Sequence, residues 1–268
     1  MQLACLLEVS AAKPGNITPA HDFVDATYAD MVRSALALGP VFARPRVERR
    51  SVGKLIEDGV EATARVAAAN TNLGIVLLFA PLARAAVTRR RDEPLRSAVE
   101  RTLAGLDLDD AAAAFAAIAR ANPGGLGDAP EHDVRAPARV SLREAMAAAA
   151  DRDSIASEYA TGYAIVFELG LPLLEDALLR ALPTLDAIVS LHVGLLACRP
   201  DTLIARKAGP ATAQAVTAAA REVRDGTRPL ADFDASLRSP DNHLNPGTTA
   251  DLVAATLLAA LLSGVKLP

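Results

Sequence analysis

Apolar residues recur at three- and four-residue spacing along nearly the whole chain, and strand-type alternation is almost absent. The pattern predicts a short opening helix over 2–11. A second is expected over 22–38, where Phe23, Ala26, Met31, Ala35 and Leu38 carry the apolar spacing. Pro40 ends it by turning its predecessor away from helical backbone. Ser51 suits the N-cap of a helix reaching Ala69, with Leu55, Ile56 and Val60 on one face. An apolar helix over 74–89 is expected to break or kink at Pro81. Pro94 is tolerated in a first turn and opens 94–104. Asp107, Asp109 and Asp110 favour the positive end of a helix over 107–121. Helices resume over 141–169, 172–198, 210–225 and 247–263, after a stretch at 122–140 too rich in Gly and Pro to be helical. The expectation is an all-α fold: a single domain over 1–268, about ten helices, and a polar cleft at helix termini.

Five interruptions concentrate the polar chemistry: "EVSAAKPGNITPAHDFVD" (8–25), "NTNLG" (70–74), "NPGGLGD" (122–128), "DTLIARKAG" (201–209) and "NPGTTAD" (245–251). Each alone reads as a loop, because Gly, Pro, Asn and Asp serve turns for steric and capping reasons. Five inside one helical domain point to a shared cleft where helix starts present N–H groups to phosphate. Asn245, Pro246, Gly247, Thr248, Thr249 and Asp251 fit an N-cap and a phosphate or ribose site equally well.

Composition narrows the class. Of 268 residues 51% are apolar but only 3% aromatic, with no Trp, so the core is built from close-packed Ala, Leu and Val. The formal charge of −4 lacks the basic surplus of a phosphate-tracking nucleic-acid binder. "RPRVERR" (44–50) and "TRRRDE" (88–93) are bordered by acids and read as solvated helix ends. Cys5 and Cys198 are too few for a disulfide framework. No secretory signal precedes the first helix, and the apolar runs 73–83 and 252–264 fall short of the ~20 residues a membrane span needs. The expectation is a soluble, cytoplasmic protein without nucleic-acid or membrane partners. Its alanine-lined faces would serve a homodimer as well as a core.

The strings Glu8–Asp25, Asn70–Gly74, Asp201–Gly209 and Asn245–Leu252 together resemble the triphosphoribosyl-dephospho-CoA synthase family, in order and spacing, across almost the whole chain. "NPGGLG" and "SEYATGY" (157–163) are similar to a branch found in archaea and methylotrophic bacteria. The resemblance implies an all-α transferase that moves the triphosphoribosyl group of ATP to a hydroxyl of dephospho-CoA and releases adenine. Where bacterial relatives resemble "NTHKG", this chain has Asn72 and Leu73 in place of a histidine and a lysine. Two other readings stay open. One is phosphoribosyl transfer in the synthesis of a methanopterin-type C1 cofactor, with a phosphoribosyl donor and a pterin-type acceptor. The other is a helical protein that binds nucleotide without turnover.

The residue set suits ribosyl transfer. Cleaving an N-glycosidic bond builds positive charge at C1′, which a carboxylate stabilises. Asp22 and Asp25, three apart, would share a helix face, and His21 titrates near neutrality. The plain alternatives are an N-cap for Asp22 and a capping or packing role for His21. Lys13, Arg206 and Lys207 supply cations for a triphosphate, and Mg²⁺ would be held by Asp22, Asp25 or Asp201. Helix-start amides at Gly15, Gly74 and Gly247 would complete the cradle. Glu8, Asn70, Thr71, Asn72, Thr202, Asn245, Thr248 and Asp251 are the remaining candidates for substrate contact.

Other residues invite plainer readings. His132, His192 and His243 are not spaced as a metal site, and His192 reads as a satisfied core histidine. Gly162 reads as a close-packing position. Glu158 reads as structural, with substrate contact the lesser alternative. Asn122 and Asp128 belong to a glycine-rich loop that is either a lid or a connection.

Overall fold

A computed structural model describes residues 1–69, 71–122 and 131–267. The chain runs through α1 (Gln2–Ser10), α2 (Tyr28–Val41), α3 (Arg44–Val47), α4 (Val52–Ala64), α5 (Leu73–Thr88), α6 (Leu95–Ala104) and α7 (Leu108–Ala121). It continues with α8 (Leu142–Ala147), α9 (Ser154–Thr161), a π-helical turn (Ile165–Gly170), α10 (Leu171–Leu179), α11 (Thr184–Cys198) and α12 (Thr202–Ala208). The last three are α13 (Pro210–Arg224), α14 (Leu230–Leu237) and α15 (Gly247–Leu262). The described residues contain no strand, only a two-residue bridge between Thr18 and His21. No single helix among them is long and apolar enough to cross a membrane. The all-α expectation holds, with fifteen α-helices among the described residues in place of about ten.

The extra helices come from strong local stops. The stretch expected as one helix over 141–169 is cut twice. Asp153 caps a new start by accepting from the Ile155 and Ala156 amides, and Gly162 and Tyr163 then take positive φ, +66° and +61°. Gly162 is thus a helix terminator, with its Cα also against Glu100. Glu158, fully buried, accepts from the Ile165 and Val166 amides at 2.8 and 3.0 Å, which starts the π turn. Burial pushes its carboxyl up to about 7. Ala181 (φ +56°) and Pro183 likewise divide 172–198. Residues 202–208, expected as a break, form α12 because Asp201 caps them.

Two helices continue through prolines, one expected to end its helix (Pro40) and one expected to break or kink it (Pro81). Pro81 lies inside α5, and Pro40 in the last turn of α2. A proline withholds the amide that the carbonyl four residues earlier would accept. Pro81 therefore frees the Leu77 carbonyl, and Tyr159 Oη donates to it at 2.7 Å. Tyr163 Oη donates to the neighbouring Leu78 carbonyl, also at 2.7 Å. Pro40 frees the Leu36 carbonyl, which accepts from Gln2 Nε2 at 3.0 Å. In each case a side chain from another helix replaces the missing backbone donor, so the helix continues.

The core is centred on α5 and α15, whose apolar residues are almost all buried and which pack on each other. α1 and α11 flank α15, while α4, α6 and α9 flank α5. Gly53 lets α4 approach α7 closely, and its amide donates to Asp110 Oδ1 at 2.7 Å. The Tyr159 bond lends itself to a double-mutant cycle. Tyr159→Phe strands a buried carbonyl and is expected to cost about 1–3 kcal/mol in urea unfolding. In a Pro81→Ala background, where the restored amide serves Leu77, the same change is expected to cost clearly less; equal costs would refute the pairing.

Candidate active site

One large cleft, of about 890 Å³, opens where the starts of α5 and α15 meet the end of α1 and helix α12. Of the sequence candidates, Glu8, Asp25, Thr71, Asn72, Gly74, Arg206, Lys207, Asn245, Gly247, Thr248 and Asp251 line it. Asn70 and Asp128 lie outside the described residues. Segments more than two hundred residues apart in sequence thus share one surface.

The acidic side is built from Glu8 and Asp251. Gly74, in the first turn of α5, sits so close to Asp251 that a Cβ would overlap Oδ2. Glycine is required here by approach, not by backbone angle. Asp251 has no hydrogen-bond partner among the described residues, and burial first, then Glu8, Asp201 and Asp153, push its pKa well above the usual carboxylate range. Glu8 is ion-paired at 2.8 Å with Lys13, which is wholly buried and also donates to the Glu8 carbonyl. Lys13 therefore does not reach a phosphate; it holds Glu8 in place from behind. His192 lies fully buried nearby, and burial, then the Lys13 cation, lower its pKa to about 3, so it is neutral. It is a core histidine, as expected, whose nearest backbone partner is Pro14 and whose ring nitrogens make no bond of normal geometry among the described residues.

The basic side carries Arg206 and Lys207 from α12 and Arg152 from the turn before α9. Arg206 Nη1 pairs with Asp153 Oδ2 at 2.6 Å, while its Nε is buried without a partner. Lys207 has no ion-pair partner among the described residues. Phe115, Ile118 and Met146 form an apolar wall beyond them.

Several expected roles go elsewhere. Asp201 accepts from the Leu203 and Ile204 amides through Oδ1 and from the Thr249 amide and hydroxyl through Oδ2, at 2.7–3.0 Å. Both oxygens are engaged in joining α12 to α15, which leaves none for a metal. Thr202 stands beside it, accepting from the Ser154 amide and bonded to Thr248 at 3.3 Å. The Gly15 amide donates to Asp234 Oδ1 at 2.8 Å, and the Gly247 amide to the Asn245 carbonyl at 2.9 Å, so neither is free for phosphate.

Asp22 and Asp25 do not share a helix face, because α2 starts only at Tyr28. Thr27 and Asp30 form its capping box, a T-x-x-D signal visible in "TYAD" that outweighs the apolar spacing before it. Asp22 is exposed, accepts from the Tyr28 amide at 2.6 Å and does not line the cleft. His21 is exposed as well and is held by the bridge to Thr18. Only Asp25 of the proposed catalytic and metal trios faces the cleft, and the described residues hold no cluster of three His, Cys, Asp or Glu able to bind a metal.

The family of ATP:dephospho-CoA triphosphoribosyl transferases matches residues 1–267. The chain belongs to this family. A crystal structure from Archaeoglobus fulgidus, described as a triphosphoribosyl-dephospho-CoA synthase, aligns with a TM-score of 0.69 at 27% identity, covering 87% of this chain and 99% of that one. No curated protein matches the chain. Membership makes the protein a transferase of a family that uses ATP and dephospho-CoA. Sequence reasoning missed Asn16, Arg152 and Asp153 of this transferase. "DRDS" (151–154) did carry a signal, an N-cap aspartate of the same kind as Asp201.

The Lys13–Glu8 pair yields a direct test. Lys13→Met leaves a carboxylate without its buried counter-ion and is expected to cost about 3–5 kcal/mol in chemical denaturation. Lys13→Met combined with Glu8→Gln is expected to recover most of that loss. No recovery would mean that Lys13 stabilises by packing alone.

Proposed function

We propose that this transferase moves the triphosphoribosyl group of ATP to a hydroxyl of dephospho-CoA and releases adenine. The observation that carries the reading is that the Glu8 and Asp251 carboxylates and the Arg206 and Lys207 cations face the same cleft. The cations suit a triphosphate, the Glu8 carboxylate suits the positive charge that develops at C1′, and Asp251 suits proton transfer. Family membership along the whole chain favours this over the pterin-type and non-catalytic readings.

In the reaction the C1′–N9 bond breaks and a C1′–O bond to the acceptor forms. The acceptor hydroxyl loses one proton, and adenine leaves with one. Glu8, anchored by Lys13, holds negative charge beside C1′. Asp251, whose surroundings favour the protonated form, gives its proton to the departing base and takes one from the attacking hydroxyl, so it ends as it began. Arg206 and Lys207 bind the phosphates, and the apolar wall excludes water that would compete with the acceptor.

Magnesium fits this arrangement as a companion of the triphosphate. A Mg²⁺ that travels with a triphosphate needs only one or two protein carboxylates, and Asp25, which faces the cleft without a side-chain hydrogen bond among the described residues, would hold it. When bound it would neutralise phosphate charge. Cytoplasmic location belongs to the same reading, since the proposed substrates are metabolites of that compartment.

Asp251→Asn is expected to lower adenine release from ATP plus dephospho-CoA by about 10²-fold or more. ATP binding by calorimetry should change only a few-fold. Undiminished release would remove Asp251 from the chemistry. Absent adenine release by the unaltered protein, with pyrophosphate released from a phosphoribosyl donor instead, would favour the pterin-type reaction.

A further inference from the structure

Two buried amide groups in the cleft have atoms that no described residue satisfies. Asn72 is 3% exposed, and its Nδ2 donor has no partner; Asn16 is 6% exposed, and its Oδ1 acceptor has none. Both residues line the cleft. Asn72 stands at the N-cap of α5, where an asparagine normally turns its side chain onto the first amides. It makes no such bond. Asn16 is held in place rather than free to turn away, since its Nδ2 donates to Asn245 Oδ1 at 2.7 Å. An unpaired buried donor or acceptor costs stability, so two of them on residues that line one cavity point to a ligand that completes them.

Their chemistry restricts that ligand. A phosphate group at neutral pH offers acceptors only and would be repelled by the Asn16 oxygen and by the carboxylates nearby. A hydroxyl both donates and accepts, and a vicinal pair of hydroxyls can donate to Asn16 Oδ1 and accept from Asn72 Nδ2 together. Position agrees with this. Asn72 lies two residues before Gly74, whose Cα backs Asp251. Asn16 is tied through Asn245 to the start of α15, one helical turn before Asp251, and its amide donates to the carbonyl of Lys13, the partner of Glu8. The two amides thus flank the carboxylate pair.

We propose that Asn16 and Asn72 are specificity residues that read the 2′- and 3′-hydroxyls of the reacting ribose, placing C1′ beside Glu8 and Asp251. This rests on the ribosyl-transfer reading above and adds the group by which the sugar is recognised. An adenine edge also presents a donor beside an acceptor, so base and sugar must be separated experimentally.

The test combines the thermal stability of the ligand-free protein with calorimetric binding of four probes: ATP, 2′-deoxy-ATP, 3′-deoxy-ATP and inosine triphosphate. Asn72→Leu removes the orphaned donor, and Asn72→Asp keeps the shape while replacing donor by acceptor. The ligand-free Asn72→Leu protein is expected to melt no lower than the original, because it no longer buries an unpaired group. Its ATP affinity should fall on the order of tenfold or more, and that of Asn72→Asp likewise. The original protein should bind both deoxy probes more weakly than ATP by a similar factor, bind inosine triphosphate like ATP, and lose the deoxy penalty on substitution. Equal affinity for ATP and both deoxy probes would overturn the proposal, as would Asn72→Leu melting several degrees lower with ATP affinity intact. Discrimination against inosine triphosphate with the deoxy probes tolerated would assign the amides to the base instead. An original protein that binds none of the four overturns the transferase reading itself, and the sugar assignment with it.

Discussion

The Asp201 carboxylate is the joint on which the cleft depends. Buried at 2% exposure, it accepts two amides from α12 and an amide and a hydroxyl from α15. One helix carries Arg206 and Lys207, the other Asp251, so this side chain, with the Thr202–Thr248 bond beside it, holds the cations and the acid at a fixed spacing. Burial pushes the Asp201 pKa up while its four donors pull it down. A carboxylate satisfied on both oxygens can sit in an apolar interior, where an unsatisfied one could not.

The same accounting of donors and acceptors runs through the scaffold. Prolines at 40 and 81 remove backbone donors, and Gln2 and Tyr159 replace them from other helices. Glu158 supplies acceptors where the chain leaves α9 and enters a π turn. An interior made of alanine and leucine has few polar groups to spare. Each of these bonds therefore joins two helices as well as satisfying an atom, and α5 can stay continuous through the core while its first turn opens onto the cleft.

Against that background the unsatisfied groups stand out. Among the described residues Asp251 has no hydrogen-bond partner, and Asn16 and Asn72, which line the same cleft, each keep one buried atom unpaired. Glu8 is the contrast: it also faces the cleft, but its ion pair with the buried Lys13 fixes its position. Unpaired groups that line the cleft give the protein stability to gain from substrate, which is the condition for tight and oriented binding.

The sequence alone determined the all-α class, the family, and the segments that build the cleft, because helical periodicity and block order are local properties of the chain. Eleven of its candidate residues, Glu8 and Asp251 among them, do line the cleft. It could not determine which acids face substrate. Asp22, Asp25 and Asp201 look alike in sequence, yet Asp22 caps α2 from outside the cleft, Asp201 is engaged by four donors, and only Asp25 faces the cavity. Helix ends were misjudged for the same reason, since the Thr27–Asp30 capping box moves a start and a distant tyrosine lets a helix pass a proline. Those outcomes are decided by competition for hydrogen-bond donors between residues distant in sequence, and that competition exists only once the helices have packed.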